Sequence, residues 1–217
     1  MSADTFFPIL DEHTYTAAEH IVGLVDDPDA DAEIANDVRA RLLPTAQSAL
    51  STRADQAARQ GLWRYAHTTL VEKNEEADDA LTDLNLALKL KGDEVYTTHR
   101  QLWGGEAVSE LIKRPYPSQI QATRGYVARV DADPAAANGP AERIERVRET
   151  NDALEVAWKA EREAKRAWSV ASEAAEDARD TFLTDYRATV RYLIAVYGED
   201  RVRLALPRFP RVGKKKG

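Results

Sequence analysis

The apolar positions of this chain fall into long runs at helical spacing. Between Asn138-Gly139-Pro140 and Gly198 there is neither glycine nor proline for almost sixty residues. Within that run Val147, Thr150, Leu154, Ala157, Glu161, Ala164, Trp168, Ala171, Ala175, Ala178, Phe182, Tyr186, Thr189, Leu193 and Val196 alternate steps of three and four. A doubled step of four at Phe182–Tyr186 is a stutter. Such a stripe predicts one long helix with a coiled-coil-like seam. At about 1.5 Å per residue it is a rod of roughly 80 Å.

The first half reads similarly but less evenly. Pro44 separates a short helix over 31–43 from a longer one whose stripe runs Leu50, Ala54, Ala57, Leu62 and Tyr65, then Ala77, Leu81, Leu84 and Leu88. Gly92 weakens or ends it before Val95–Trp103. Residues 119–122 and 126–130 alternate as strands do, but they are isolated, and helix is the expectation there too.

A repeat is the strongest pattern in the sequence. Leu102-Trp103-Gly104-Gly105-Glu106 with its following Leu111-Ile112 and Pro115-Tyr116-Pro117 parallels Val196-Tyr197-Gly198-Glu199-Asp200 with Leu204-Ala205-Leu206 and Pro207-Arg208-Phe209-Pro210. Ile21-Val22-Gly23-Leu24-Val25-Asp26-Asp27-Pro28 likewise parallels Tyr126-Val127-Ala128-Arg129-Val130-Asp131-Ala132-Asp133-Pro134. The offset is about a hundred residues at both ends. This predicts a duplicated helical unit, 11–117 and 118–210, with a basic tail at 211–217 and a longer intervening helix in the first copy. The fold expected is an all-α, elongated bundle with long coiled-coil-like helices.

Composition supports this picture. Four Phe, one Met and 31% charged residues suit close helix pairs better than a thick core. There is no cysteine, so disulfides, thiol nucleophiles and cysteine-ligated metals are excluded. The segment Met1–Asp11 lacks the charged and apolar regions of a signal peptide, and no apolar run reaches membrane-spanning length, so a cytoplasmic protein is expected. The net charge of −7 argues against general nucleic-acid binding. Residues 1–117 hold 11 Lys+Arg against 21 Asp+Glu, leaving the second half mildly basic.

Candidate chemistry is sparse. Glu72, Glu75, Glu76 and Asp79 lie a turn apart, which invites a ferritin-like carboxylate metal site, but the Glu-x-x-His spacing of such sites is missing. Solvated carboxylates on a helix face are the simpler account, and no cofactor is expected. Glu12-His13 and Glu19-His20 put two histidines about 10 Å apart along one helix, too far to share a metal. His67 and His99 stand alone. None of the phosphate-loop, dinucleotide, nucleophile-elbow or zincin motifs occurs. Arg208, Arg211 and Lys214-Lys215-Lys216 could touch phosphates, but read more simply as a solvated terminus.

The functional expectation is a non-enzymatic binding, spacer or scaffold protein with a protein partner, a homodimer being compatible with it. A helical-bundle enzyme with a carboxylate metal site and a nucleic-acid adaptor acting through the tail are the alternatives. The interaction surface expected is the acidic set Glu72, Glu75, Glu76 and Asp79 together with the basic set Lys159, Arg162, Lys165 and Arg166. Both sets lie near the middle of their helices, so an antiparallel pair would bring them to one level.

Overall fold

The computed structural model describes Phe6, residues 11–133 and residues 138–209. Pro134 and the basic tail at 211–217 lie outside the described residues. Among those described there are eight helices and no strand, so the chain is an all-α helical bundle. The helices are α1 (Asp11–Leu24), α2 (Ala32–Arg41), α3 (Leu43–Lys91), α4 (Asp93–Leu102), α5 (Val108–Leu111), α6 (Tyr116–Ala132), α7 (Ala141–Tyr197) and α8 (Glu199–Ala205).

Local chemistry explains the boundaries. The Asp31 carboxylate accepts from the backbone N–H groups of Glu33 and Ile34 and caps α2. Pro44 stands in the first turn of α3, where its missing N–H costs nothing. Pro140 accepts at its carbonyl from Arg143 and Ile144 and opens α7. The briefly alternating stretches at 119–130 belong to α6. Its buried residues, Gln119, Ile120, Thr123, Tyr126 and Val127, follow helical spacing, and that outweighs a two-residue period.

Each long helix ends at a glycine that only glycine accommodates comfortably. Gly92 has φ 113° and ψ 165°, and Gly198 has φ 81° and ψ 154°. Each is followed by a short helix with two acidic residues in its first turn, Asp93-Glu94 and Glu199-Asp200. The glycine that shares the setting of Gly198 is therefore Gly92. Gly104, the expected counterpart, sits with Gly105 at the end of α4.

The chain forms two compact units. The first combines residues 1–60 with 167–217. Its core joins Ala17, Ala18 and Ile21 of α1, Ile34 and Val38 of α2, Ala46 and Ala49 of α3, Phe182, Tyr186, Val190 and Leu193 of α7, and Val202 of α8. Phe182 is fully buried there, whereas Trp168 is half-buried. The second unit is residues 61–166. Leu81, Leu84 and Leu88 of α3 pack with Tyr126 and Val127 of α6, Ile144 and Val147 of α7 and Leu111 of α5. A smaller cluster joins Leu70, Ala77, Ile120, Leu154 and Ala157.

Buried positions recur at a spacing of 105 residues. In the first helices Thr14, Ala18 and Ile21 match Gln119, Thr123 and Tyr126. Along the long helices Leu42, Ala46, Ala49, Leu70, Ala77, Leu81, Leu84 and Leu88 match Val147, Asn151, Leu154, Ala175, Phe182, Tyr186, Thr189 and Leu193. The glycine stops follow with a shift of one residue.

Candidate functional site

Both charge clusters expected from the sequence lie in the second unit, and they do not meet there. Glu72, Glu75, Glu76 and Asp79 are exposed on α3. Glu76 accepts from Lys73 Nζ at 2.7 Å, an i,i+3 pair on its own helix. Lys159, Arg162, Lys165 and Arg166 are exposed on α7. Lys159 Nζ stands 2.9 Å from Glu155, and the Arg162 guanidinium lies 5.2 Å from the Trp158 ring centre. Among the described residues no ion pair joins the two sets.

Register explains their separation. Trp63 Nε1 donates to Glu161 Oε1 at 2.8 Å, and Asp83 receives Arg143 and Arg146. Interpolating between those contacts puts Glu72–Asp79 level with Val147–Leu154 of α7. The equal-level expectation assumed that helix midpoints coincide. In the unit the apolar layers and these polar contacts fix the stagger instead.

The outward face of α3 differs from the expected one. Leu62 and Tyr65, read from the sequence as inward, are 57% and 75% exposed, while half-buried Trp63 and buried Leu70 face in. Leu62, Tyr65, Thr69, Glu72, Glu76, Asp79, Asp83, Leu86 and Leu90 follow alternating steps of three and four. They form a second seam on the side away from Leu70, Ala77, Leu81, Leu84 and Leu88. It has apolar ends, with Leu86 and Leu90 at 55% and 89% exposure, and a carboxylate centre.

Beneath this face lies a buried polar layer. Asp78 turns inward, accepting from Asn74 Nδ2 at 3.0 Å and from Gln119 Nε2 at 2.6 Å. Burial pushes its carboxyl above the ordinary carboxylate range despite these two bonds. Neither Gln119 Oε1 nor Thr123 Oγ1, both buried, has a hydrogen-bond partner among the described residues. Nearby, His99 Nδ1 lies 2.8 Å from Tyr126 Oη, and the Trp103 ring stacks on Tyr126 at 3.6 Å between centroids. Burial raises the Tyr126 hydroxyl far above its usual titration, so it stays neutral and hydrogen-bonding.

The remaining histidines also have structural settings. His13 stacks on Phe209, His20 Nε2 lies 2.8 Å from the Ala205 carbonyl, and His67 Nδ1 is 3.9 Å from Glu161. The first unit carries an open cavity of about 440 Å³ lined by His20, Asp27, Asp29, Asp31, Arg201 and Leu204. Within that lining Arg201 pairs with Asp31, and also with Glu33 outside it, while the Asp27 carboxylate accepts from the backbone N–H of Asp29. The Arg201 guanidinium holds the Asp31 carboxyl below its usual range. Among the described residues no three of His, Asp and Glu are grouped to hold a metal ion, and no helix is long and apolar enough to cross a membrane. No family model matches the chain, nor does any curated protein or solved structure.

Proposed function

We propose that this chain is a non-enzymatic helical scaffold that offers the outer face of α3 to a partner helix. The observation that carries this reading is the exposure of Leu62, Tyr65, Leu86 and Leu90 in one heptad register around the carboxylates Glu72, Glu76 and Asp79. Single exposed apolar residues are ordinary on a protein surface. Four large ones on a single coiled-coil stripe form what a second helix covers in knobs-into-holes packing. The carboxylate centre selects a helix with Lys or Arg midway between apolar ends, and burial of the leucines supplies most of the affinity.

A photo-crosslinking amino acid placed at Tyr65 and at Leu90 in the native cell tests the reading. Both positions should give the same discrete adduct. Yields no higher than from the exposed Arg64, on the flank of the same helix, would reject it.

The proposal includes an internal duplication, supported by the 105-residue recurrence of buried positions. With Gly92 aligned to Gly198, the distance from Ile21 to its glycine differs by one residue from that between Tyr126 and Gly198. No longer intervening helix is then needed in the first copy. An experimental structure in which 43–91 fails to superpose on 148–196 with α1 and α6 on corresponding sides would remove this part of the proposal.

A further inference from the structure

We infer that the polar layer of the second unit binds a small monovalent cation of the alkali-metal class, held by side-chain oxygens of Asn74, Gln119 and Thr123 beside the Asp78 carboxylate. Hydrogen bonding fixes which atoms are left over. An ionised carboxylate only accepts, so the amide nitrogens of Asn74 and Gln119 turn to Asp78, at 3.0 and 2.6 Å. Their carbonyl oxygens, Asn74 Oδ1 and Gln119 Oε1, are buried without a partner among the described residues, and so is Thr123 Oγ1, one turn further along α6. Gln119 and Thr123 are each only 1% exposed. Thr123 also departs from the habit of this chain. Thr16, Thr52, Thr68, Thr98, Thr150 and Thr181 each donate to the carbonyl four residues back on their own helix, whereas the Thr123 hydroxyl is left to the interior.

The result is a surplus of oxygen acceptors beside one negative charge, and leaving buried acceptors unmatched is costly. A water has two hydrogens to offer three such oxygens. A cation can contact all of them and also offsets the partly buried charge of Asp78. One carboxylate among neutral oxygens suits an ion of single charge, because divalent ions recruit further carboxylates or phosphates, and carbonyl oxygens readily replace the hydration shell of an alkali ion. The layer is closed on the α6 side and reaches solvent at α3, where Asn74 and Asp78 are half-buried and the exposed carboxylates of Glu75 and Asp79 attract cations to the entrance. Packing alone does not call for these groups. At the 105-residue spacing the counterparts of Thr123 and Asp78 in the first unit are Ala18 and Leu183, both apolar.

Thermal unfolding of the full chain tests this. Ionic strength is held constant while NaCl or KCl replaces tetramethylammonium chloride, whose cation is too large for the layer. The melting midpoint should rise saturably, standing about 2–4 °C above its tetramethylammonium value once the ion is at about five times its Kd, with the larger rise identifying the preferred ion. Thr123→Val keeps the side-chain shape but removes the hydroxyl, and should lose most of the rise. Asp78→Asn relieves the charge, so it should melt above the wild type in tetramethylammonium chloride and give up that lead as the alkali ion is added. A crystal structure of the wild type in the preferred salt should place the ion against Gln119 Oε1 and Thr123 Oγ1, and decides the matter if either variant fails to fold. Equal midpoints in all three salts, a rise undiminished in Thr123→Val, or a water in place of the ion at those two oxygens overturns the inference.

Discussion

Asp78 shows how a half-buried carboxylate can be tolerated. Two amide groups donate to it, yet desolvation still raises its affinity for a proton. A carboxyl whose folded pKa is raised contributes stability that is fully present below its unfolded pKa, about 3.9, and lost as pH rises through the folded value. Asp78→Asn should therefore gain on the wild type at neutral pH and lose that advantage by about pH 3, below the unfolded pKa, where the raised carboxyl is protonated in both states. Urea unfolding at the two pH values checks the sign, and an advantage that grows on acidification would contradict it. Phe182, fully buried in the core of the first unit, should cost about 3–5 kcal/mol on truncation to alanine. Trp168→Ala should cost less, because that ring is only half-buried. A loss below about 0.5 kcal/mol at Phe182 would be incompatible with its enclosure.

Helix by helix, glycine has two opposite roles. Gly198 ends α7 at φ 81°, where a Cβ is disfavoured, so Gly198→Ala should destabilise the protein by about 1–2 kcal/mol. Gly61 lies inside α3 with open space where a Cβ would project, and Gly61→Ala should stabilise by about 0.5–1 kcal/mol. Paired thermal melts of the two variants should move in opposite directions. The long helices were legible from periodicity to different degrees. The α7 stripe keeps Val147, Leu154, Ala157, Ala171, Ala175, Phe182, Tyr186, Thr189 and Leu193 buried as its spacing implied, but its last member, Val196, beside the helix end, is 53% exposed. On α3 the downstream half is equally clear, with Ala77, Leu81, Leu84 and Leu88 inward, but the upstream half has two competing seams. The more apolar one, with Leu62 and Tyr65, faces out, and the inward phase includes the polar Gln56, which donates to Ser172 within the first unit.

At the scale of the molecule, each compact unit draws helices from both sequence halves. The first takes α1, α2 and the start of α3 with the end of α7 and α8, and the second takes the end of α3, α4 and α5 with α6 and the start of α7. Cutting the chain between α5 and α6 would leave both cores half-built. Residues 11–114 and 115–210 prepared separately should therefore lack a cooperative melt by circular dichroism, and mixing them should restore one. Cooperative melting of either piece alone as a dilute monomer would contradict this crossed construction.

Periodicity by itself determined the all-α class, the course of α7 and the stops at Gly92 and Gly198, because helical spacing and positive-φ glycines are local properties of the chain. It also marked Glu72, Glu75, Glu76 and Asp79 against Lys159, Arg162, Lys165 and Arg166 as exposed charge. Tertiary structure decided what spacing cannot: which of two heptad phases on α3 faces inward, and at what stagger α3 meets α7. Those depend on the combined burial of residues far apart in sequence, such as Leu84 with Tyr126 and Val147, and on single polar contacts such as Trp63 with Glu161. The buried His99–Tyr126 pair and the inward turn of Asp78 were hidden for the same reason, since each residue looks like ordinary helix surface until its distant partner is in place.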